Sequence, residues 1–183
     1  MRNVIRLSVF FAILISLFSL MIYGVAQQML RMSANYVPLQ LTTDVVNKLE
    51  SGFSPNSIVL PAKIEIESSL YPFVMILDQN KKVLITSATL SGNVPEIPSG
   101  VFDWVTSNGR DKITWQPFLG VREALIIDKY KNGPMSGYVV GGATLKLTED
   151  TIDKLGRDIL VGWFVINAFA ITSIVFLEKT KKQ

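Results

Sequence analysis

The stretch ALIIDKYKNGPMSGYVVGGATLKL, residues 124–147, decides the fold. It holds two apolar runs separated by a polar turn at Asn132-Gly133-Pro134. An Asn-Gly pair accepts the positive backbone φ angles that a tight turn between antiparallel strands requires. The stretch therefore predicts a β-hairpin, with strands over 121–129 and 137–145 and its tip at Asn132-Gly133.

A second hairpin is predicted nearer the start of the chain. Residues 73–77 form a continuous apolar run, residues 78–82 are polar, and residues 83–86 favour β structure. A strand that is apolar on both sides belongs in a sheet that is covered on both faces. The segment DKITWQPF, residues 111–118, adds another strand that ends near Pro117. The sequence therefore predicts five antiparallel strands.

An amphipathic helix is predicted before the first hairpin. Its apolar side chains recur at every fourth position and so share one stripe: Val37, Leu41, Val45 and Leu49. Pro38 should kink or restart this helix, and Gly52 should end it. A shorter helix is predicted from GVFDWVTSNG, residues 100–109, with three side chains on its inner face: Val101, Trp104 and Val105. A five-stranded antiparallel sheet with an N-terminal helix on one face, an α+β fold, is the simplest assembly of these elements.

Two long segments carry no charge. Residues 7–30 and residues 159–177 contain neither acidic nor basic side chains, and about 20 apolar residues suffice to cross a bilayer. We therefore predict transmembrane helices over 7–27 and 158–177. A buried core helix is the alternative for either segment. For the first segment, a signal peptide cleaved after Gly24-Val25-Ala26 is a further alternative.

The predicted spans divide the chain into five parts. Residues 1–6 and the basic tail 178–183 lie at the two ends, and residues 28–157 form the domain between the spans. Residues 31–158 contain 13 basic and 14 acidic side chains, whereas the ends hold five basic side chains and one acidic one. Basic residues collect on the cytoplasmic side of membrane spans. We therefore expect a cell-membrane protein with both termini in the cytoplasm, an extracytoplasmic domain, the lipid bilayer as a partner and no nucleic-acid binding.

The last strand is expected to lead directly into the second span. Thr148 is the predicted N-cap of the connecting helix, because its hydroxyl can accept a backbone N–H. Glu149 and Asp150 follow in the first turn, where the helix dipole favours acidic side chains. The helix then continues through Ile152 into the span. The domain and the span are thus predicted to share one helix.

Composition excludes several kinds of chemistry. The chain has no cysteine and no histidine, which removes disulfides, thiolate nucleophiles, histidine bases and histidine metal ligands. Glu65 and Glu67 are expected to face solvent, and neither they nor the acidic group at 149–153 has the spacing of a calcium loop. The glycines within residues 137–142 lack the spacing of a dinucleotide loop and are expected to permit close packing. We expect no enzyme, no cofactor and no metal site.

Aromatic side chains with one arginine are the best candidates for a ligand pocket. Such walls suit a carboxylate or an amino acid, because a guanidinium pairs well with a carboxylate. The candidate residues are Trp104, Trp115, Arg122, Tyr130 and Tyr138. The alternative for the same residues is ordinary core packing with a surface ion pair.

Small and polar side chains inside the spans are candidates for contact with another membrane protein. Asn167 lies near the middle of the second span, and Ala12 and Ser16 give the first span a small-residue face. An amide in hydrocarbon requires a hydrogen-bond partner. That partner belongs to another membrane protein, to a second copy, or to this chain's own pair of helices.

The order of these elements resembles the extracytoplasmic PAS-like sensor domains, of the single-Cache or PDC type, of bacterial membrane receptors. The likeness covers residues 30–178 and is carried by two stretches. These are FVMILDQNKKVLITSA, residues 73–88, and VREALIIDKYKNGPMSGYVVGGATLKLTEDTIDKLGRDILVGWF, residues 121–164.

Two positions depart from the pattern of that family. Asp78 stands where the family has its turn aspartate, but the usual glycine is missing and Lys81 lies nearby. Ala143 stands where many relatives carry an arginine after a glycine pair. A ligand role borrowed from that arginine therefore does not carry over to this chain.

The resemblance implies a PAS-like fold and a sensory role. A PAS-like sheet between two membrane helices would bind a ligand and signal through those helices. Receptors of the family continue into an output domain, whereas this sequence ends six residues after the second span. The expected function is therefore a ligand-binding module that signals to a separate membrane protein. The alternative is a non-catalytic accessory subunit of a membrane complex.

Overall fold

The computed structural model describes residues 2–180, so Lys181 and Lys182 of the predicted basic tail lie outside the described residues. Its α-helices are α1 (Arg2–Ser33), α2 (Tyr36–Glu50), α3 (Ser99–Asn108) and α4 (Lys146–Thr180). Its strands are β1 (Ile64–Glu65), β2 (Phe73–Asp78), β3 (Val83–Thr86), β4 (Ala88–Thr89), β5 (Asp111–Phe118), β6 (Val121–Asn132) and β7 (Met135–Thr144).

The chain separates into two compact units. One unit contains the two ends of the chain, up to Arg31 and from Glu149 onward, and the other contains Met32–Thr148. Helices α1 and α4 are long and apolar enough to cross a membrane, by length and composition alone. Two such helices therefore flank a β-sheet domain, as the sequence predicts.

The main sheet of the second unit has five antiparallel strands in the order β3-β2-β7-β6-β5. The pairing of β6 with β7 runs from Glu123 opposite Thr144 to Asn132 opposite Met135. The predicted five-stranded antiparallel sheet is confirmed. Strand β6 extends to Asn132 rather than Lys129, because the ladder of hydrogen bonds continues up to the turn.

Helix α2 covers one face of the sheet, which we call the helix face. Pro38 restarts the helix as predicted, because it lies in the first turn of α2, where no intrahelical N–H bond is lost. The buried stripe differs from the predicted one, since Val37 is exposed. The buried side chains are Pro38, Thr42, Val45, Val46 and Leu49. Thr42 belongs to this stripe because its hydroxyl donates to the Ile126 carbonyl oxygen at 3.2 Å.

Gly141 of β7 explains the position of this stripe. A Cβ atom at Gly141 would lie 2.3 Å from Thr42 Oγ1 and 2.6 Å from the carbonyl oxygen of Pro38. Only a glycine lets the backbone of α2 approach the strand this closely. The expectation that the glycines of this strand serve close packing is confirmed.

The opposite face of the sheet, which we call the open face, is covered by α3 and by irregular segments. Phe102 and Val105 of α3 are buried there, and the Phe102 ring lies 5.1 Å from the ring of Tyr138. The prediction for Trp104 is wrong: it is 55% exposed. It lies two residues from Phe102, which places it on the other side of the helix.

Helix α4 begins directly after the sheet. Its first residue is Lys146, two positions before Thr148, so the predicted N-cap lies inside the first turn instead. The Thr144 hydroxyl accepts the backbone N–H of Lys146 at 3.3 Å. The last residue of β7 therefore caps the helix, and no loop separates strand from helix.

Candidate ligand-binding site

Two cavities on the open face share the segment 94–96 as a common wall. The smaller has a volume of about 410 Å³ and includes the side chains of Met75, Leu77 and Phe102 in its wall. The larger has a volume of about 620 Å³ and is bounded on one side by Trp115. Both volumes fall within the range of small-molecule sites in proteins.

The smaller cavity is lined by one basic side chain, Lys81, and one acidic side chain, Glu96. Lys81 Nζ donates to Asp103 Oδ1 at 2.6 Å and to the Ser99 carbonyl oxygen at 3.3 Å, both on α3. An ammonium group has three N–H donors. These two bonds use two of them, so the third can donate to a ligand. A half-exposed ion pair of this kind contributes at most about 1 kcal/mol. The link between the β2–β3 turn and α3 is therefore weak enough for a ligand to exchange with it.

The backbone of Lys81 is strained. Its φ is +67°, in the left-handed region that glycine and asparagine adopt most easily. Asp78 fixes the turn, because its Oδ1 accepts the N–H groups of Asn80 and Lys82 at 2.8 and 2.9 Å. A side chain in this region costs about 1–2 kcal/mol. Such strain persists where the surroundings fix the backbone, and it concentrates at functional sites.

A buried carboxyl group lies on the same face nearer the other end of the sheet. Glu123 is 2% exposed, and its Oε1 has no hydrogen-bond partner among the described residues. Its cross-strand neighbours are Trp115 and Thr144, neither of which carries a charge. Burial raises the pKa of Glu123 to about 8; a hydrogen bond with Thr144 lowers the pKa, but by less than burial raises it. The carboxyl group is therefore mostly protonated at neutral pH.

The five residues predicted to line one pocket lie in three different places. Trp115 and Tyr138 are buried on the open face, and Trp115 borders the larger cavity. Tyr130 is buried on the helix face, and the alternation of side chains along β6 places Arg122 on that face as well. Trp104 points away from the sheet. Trp115 and Tyr138 share this face but lie towards opposite ends of it, because Trp115 pairs with Glu123 and Tyr138 pairs with Lys129. The structure therefore brings none of the five together into one pocket, and ligand binding by any of them stays a prediction.

The residues predicted for contacts inside the membrane are hydrogen-bonded within the unit formed by α1 and α4. Ser16 Oγ donates to the Ala12 carbonyl oxygen at 2.7 Å and accepts from Trp163 Nε1 at 2.8 Å. Asn167 is 8% exposed and donates from Nδ2 to the Trp163 carbonyl oxygen at 2.8 Å. Each of them therefore has a partner in this chain. Their contact with another membrane protein stays a prediction.

Glu65 and Glu67 hold a turn. The Glu65 carboxylate accepts the backbone N–H groups of Ser91 and Gly92 at 2.8 and 3.1 Å, and Glu67 accepts the Ser91 hydroxyl. Glu67 is exposed, as predicted, whereas Glu65 is half-buried, because its carboxylate binds the backbone N–H groups of the turn. Within residues 2–180, no group of three or more acidic, histidine or cysteine side chains is placed to hold a metal ion.

Comparison with known proteins leaves this site without a relative. No family model matches the chain, and no curated protein and no solved structure matches it. The geometry of the open face is therefore what points to a function.

Two residues on the open face were not among the predicted site residues. Glu123 is in phase with Leu125 and Ile127 along β6, and a carboxyl in phase with buried apolar residues signals a buried ionisable group. Lys81 occupies a turn position that favours glycine, which signals a constrained lysine. The cavity gives no local signal, because its walls come from segments as far apart as Met75 and Phe102.

Proposed function

We propose that this chain is a membrane-anchored module that binds a small ligand on the open face of its sheet and signals to a separate membrane protein. The observation that carries the proposal is the cavity of about 410 Å³ beside Lys81. The five-stranded antiparallel sheet, with α2 on one face, agrees with what the resemblance to PAS-like sensor domains implies.

The cavity suits a small anionic ligand. Its wall combines apolar side chains from β2 and α3 with the ammonium group of Lys81 and the carboxylate of Glu96, and small-molecule sites usually pair an apolar lining with a few polar groups. The anionic group of the ligand would bind on the Lys81 side, because Glu96 repels it. A carboxylate or phosphate oxygen bonded to Lys81 would compete with Asp103 for the same Nζ. Ligand binding would then loosen or reshape the contact between the β2–β3 turn and α3.

Anchoring would place α1 and α4 in the cell membrane, with both termini in the cytoplasm and the sheet outside. The apolar composition of both helices and the basic ends of the chain support this placement. Strand β7 continues into α4 without a loop. A shift of β7 would therefore move α4 directly.

The size of such a signal is set by the ligand. A ligand moves the equilibrium between two conformations only by the difference between its binding free energies for them. The proposal therefore requires that the cavity differ between the two conformations. Lys81 is the group through which this difference would act, since it touches both the cavity and α3.

A thermal-shift experiment on the full chain in lipid nanodiscs tests the proposal. The probes are acetate, citrate and inorganic phosphate, each compared with chloride at equal ionic strength. We expect at least one probe to raise the melting temperature of the wild type, and Lys81→Met to abolish that rise. Lys82→Met is the matched control, because Lys82 is exposed and lies outside the cavity wall. An equal rise in the wild type and in Lys81→Met would contradict an anion site at Lys81.

One observation favours the accessory-subunit alternative. The unit of α1 and α4 has an apolar groove of about 400 Å³, with Ser16, Ser19 and Gly156 among its lining residues, and small residues allow membrane helices to approach closely. If the chain is such a subunit, it should co-purify in fixed stoichiometry with a transporter or respiratory complex in mild detergent. A kinase or chemoreceptor as the co-purifying protein would support signalling instead.

A further inference from the structure

The two ends of the five-stranded sheet differ in their connections. At one end, which we call the anchored end, β7 is followed by α4. Strand β2 begins at the same end, since its first residue, Phe73, pairs with Gly142 near the end of β7. Helix α2 starts at the same end, because its first turn packs on Gly141. Both connections of this unit to the long apolar helices therefore leave from the anchored end.

The β5–β6 turn also lies at the anchored end. Strand β6 begins beside the end of β7, since Glu123 pairs with Thr144, and Phe118 pairs with Val121 across the turn. Gly120 has a φ of +88°, the conformation that the third residue of a type II turn requires. This turn leaves Leu119 at its tip.

Large apolar side chains are exposed at this end. Leu119 is 93% exposed and Phe118 is 41% exposed. The segment just before β2 adds Leu70 and Tyr71, at 52% and 75%. Single exposed apolar residues are ordinary, but several on neighbouring loops at one end of a domain mark a surface that contacts something apolar.

The other end, which we call the free end, has mainly polar turns. It carries the β2–β3 turn at 79–82 and the β6–β7 turn at 132–135. Gln79, Asn80 and Lys82 are exposed in the first turn, and Met135 is the single large apolar side chain exposed in the second. Phe53, just after α2, and Met135 are also exposed towards this end, at 52% and 44%. The difference between the ends therefore lies in their turns: Leu119 is at the tip of the turn at the anchored end, whereas the β2–β3 turn at the free end is polar.

We propose, on the basis that α1 and α4 span the membrane, that the β5–β6 turn and the segment 70–71 insert into the interfacial layer of the bilayer. Lipid is the occupant that the connections favour, because both chain connections at the anchored end lead to helices that are apolar enough to enter a bilayer. Leucine and phenylalanine bind the boundary between headgroups and acyl chains, and tyrosine is enriched there. The sheet is then held at the membrane surface by its loops as well as by its helices.

Single cysteine labels test this inference cleanly, because the chain has no cysteine. An environment-sensitive fluorophore is attached to Leu119→Cys or to Asn132→Cys, the matched turn at the free end, in the full chain reconstituted into phosphatidylcholine vesicles. A third label at Phe18→Cys, on α1, reports whether the helix is in the bilayer. Leu119 is 93% exposed, so its replacement should leave the fold intact, which a circular dichroism melt verifies.

Lipids spin-labelled near the headgroup should quench the label at position 119 by about twofold, with little effect at position 132. Lipids spin-labelled deep in the acyl chain should quench the label at position 18. If position 18 is quenched and position 119 behaves like position 132, the inference is overturned while membrane anchoring stands. If position 18 is not quenched, the proposed anchoring fails and the inference fails with it.

A partner protein or a second copy would give a different result. It would shield position 119 from aqueous iodide without exposing it to the lipid quenchers. That outcome would also overturn lipid insertion.

Discussion

The two faces of the sheet are built in opposite ways. On the helix face, α2 packs so closely that Gly141 has no room for a Cβ atom, and Thr42 bonds to a strand carbonyl. On the open face, the short helix α3 and irregular segments leave two cavities, a lysine at positive φ and a buried carboxyl group without a full set of partners. Both faces contribute buried apolar core, but only the open face combines that core with cavities and with groups that reduce stability.

The largest effect on stability should come from adding a side chain at Gly141 on the helix face. Gly141→Ala would place a methyl group 2.3 Å from Thr42 Oγ1 and 2.6 Å from a backbone oxygen of α2. Overpacking against backbone is not relieved by a side-chain rotation, so we expect a loss at the upper end of the usual range, about 3 kcal/mol in unfolding free energy. Urea unfolding of the full chain in nanodiscs, followed by tryptophan fluorescence, measures it.

Gly100→Ala is the control for that substitution. Gly100 lies in α3 on the open side with nothing within 4 Å of an added Cβ, and alanine is the better helix former by up to about 1 kcal/mol. We expect Gly100→Ala to be neutral or stabilising. Equal losses of unfolding free energy in the two variants would show that the helix face is no more tightly packed than the open face.

The next effect should come from the buried carboxyl group of the open face. Glu123 ionises near pH 4.5 in the unfolded chain and near pH 8 in the folded one, so the folded state keeps a proton that the unfolded state loses. Stability should therefore fall as pH rises through this window, by about 2–3 kcal/mol between about pH 5 and pH 7. Glu123→Gln should remove this fall, because the amide does not ionise.

Unfolding free energies at several pH values distinguish Glu123 from other acids. Glu96→Gln is the matched control, since Glu96 is exposed on the same side of the sheet, and it should keep the pH dependence of the wild type. A pH dependence that survives in Glu123→Gln would show that burial of this carboxyl is not its source.

The smallest effect should come from the backbone strain at Lys81. Lys81→Gly and Lys81→Ala both remove the ion pair with Asp103, but only glycine relieves the side-chain strain at a φ of +67°. The glycine variant should therefore be more stable than the alanine variant by about 1 kcal/mol. Equal melting curves for the two variants would mean that the turn relaxes out of the left-handed conformation.

The sequence is informative about the sheet for a simple reason. Strand and turn signals are local, and the hairpin combines two apolar runs with Gly133, whose φ is +56°. The predicted tip at Asn132-Gly133 is shifted by one residue, because Asn132 still pairs with Met135 and leaves Gly133-Pro134 at the tip. The ends of α2 and α3 were predictable on the same basis, because Gly52 and Gly109 have positive φ where those helices end. The helix start at Lys146 was missed, because the cap comes from Thr144 at the end of a strand.

Most of the candidate site could not be predicted from the sequence. The faces of Tyr130 and Tyr138 depend on the register of the hairpin. Tyr130 pairs with Gly137 across the turn, so the next residue, Tyr138, points to the opposite face. They lie on opposite faces of the sheet. Cavities arise where covering segments fail to fill space, which no pattern of residues along one segment encodes. The sequence therefore predicted the sheet and its helices but not the cavities between them.

The length of α4 has a mechanical consequence. Its 35 residues form a rod about 52 Å long, whereas the hydrocarbon core of a bilayer is about 30 Å thick. The helix contains no proline, the residue that most often breaks a helix. If α4 spans the membrane, as proposed, it is longer than the hydrocarbon core, so part of it would lie outside the acyl chains. That part would be longer in a thinner bilayer and shorter in a thicker one.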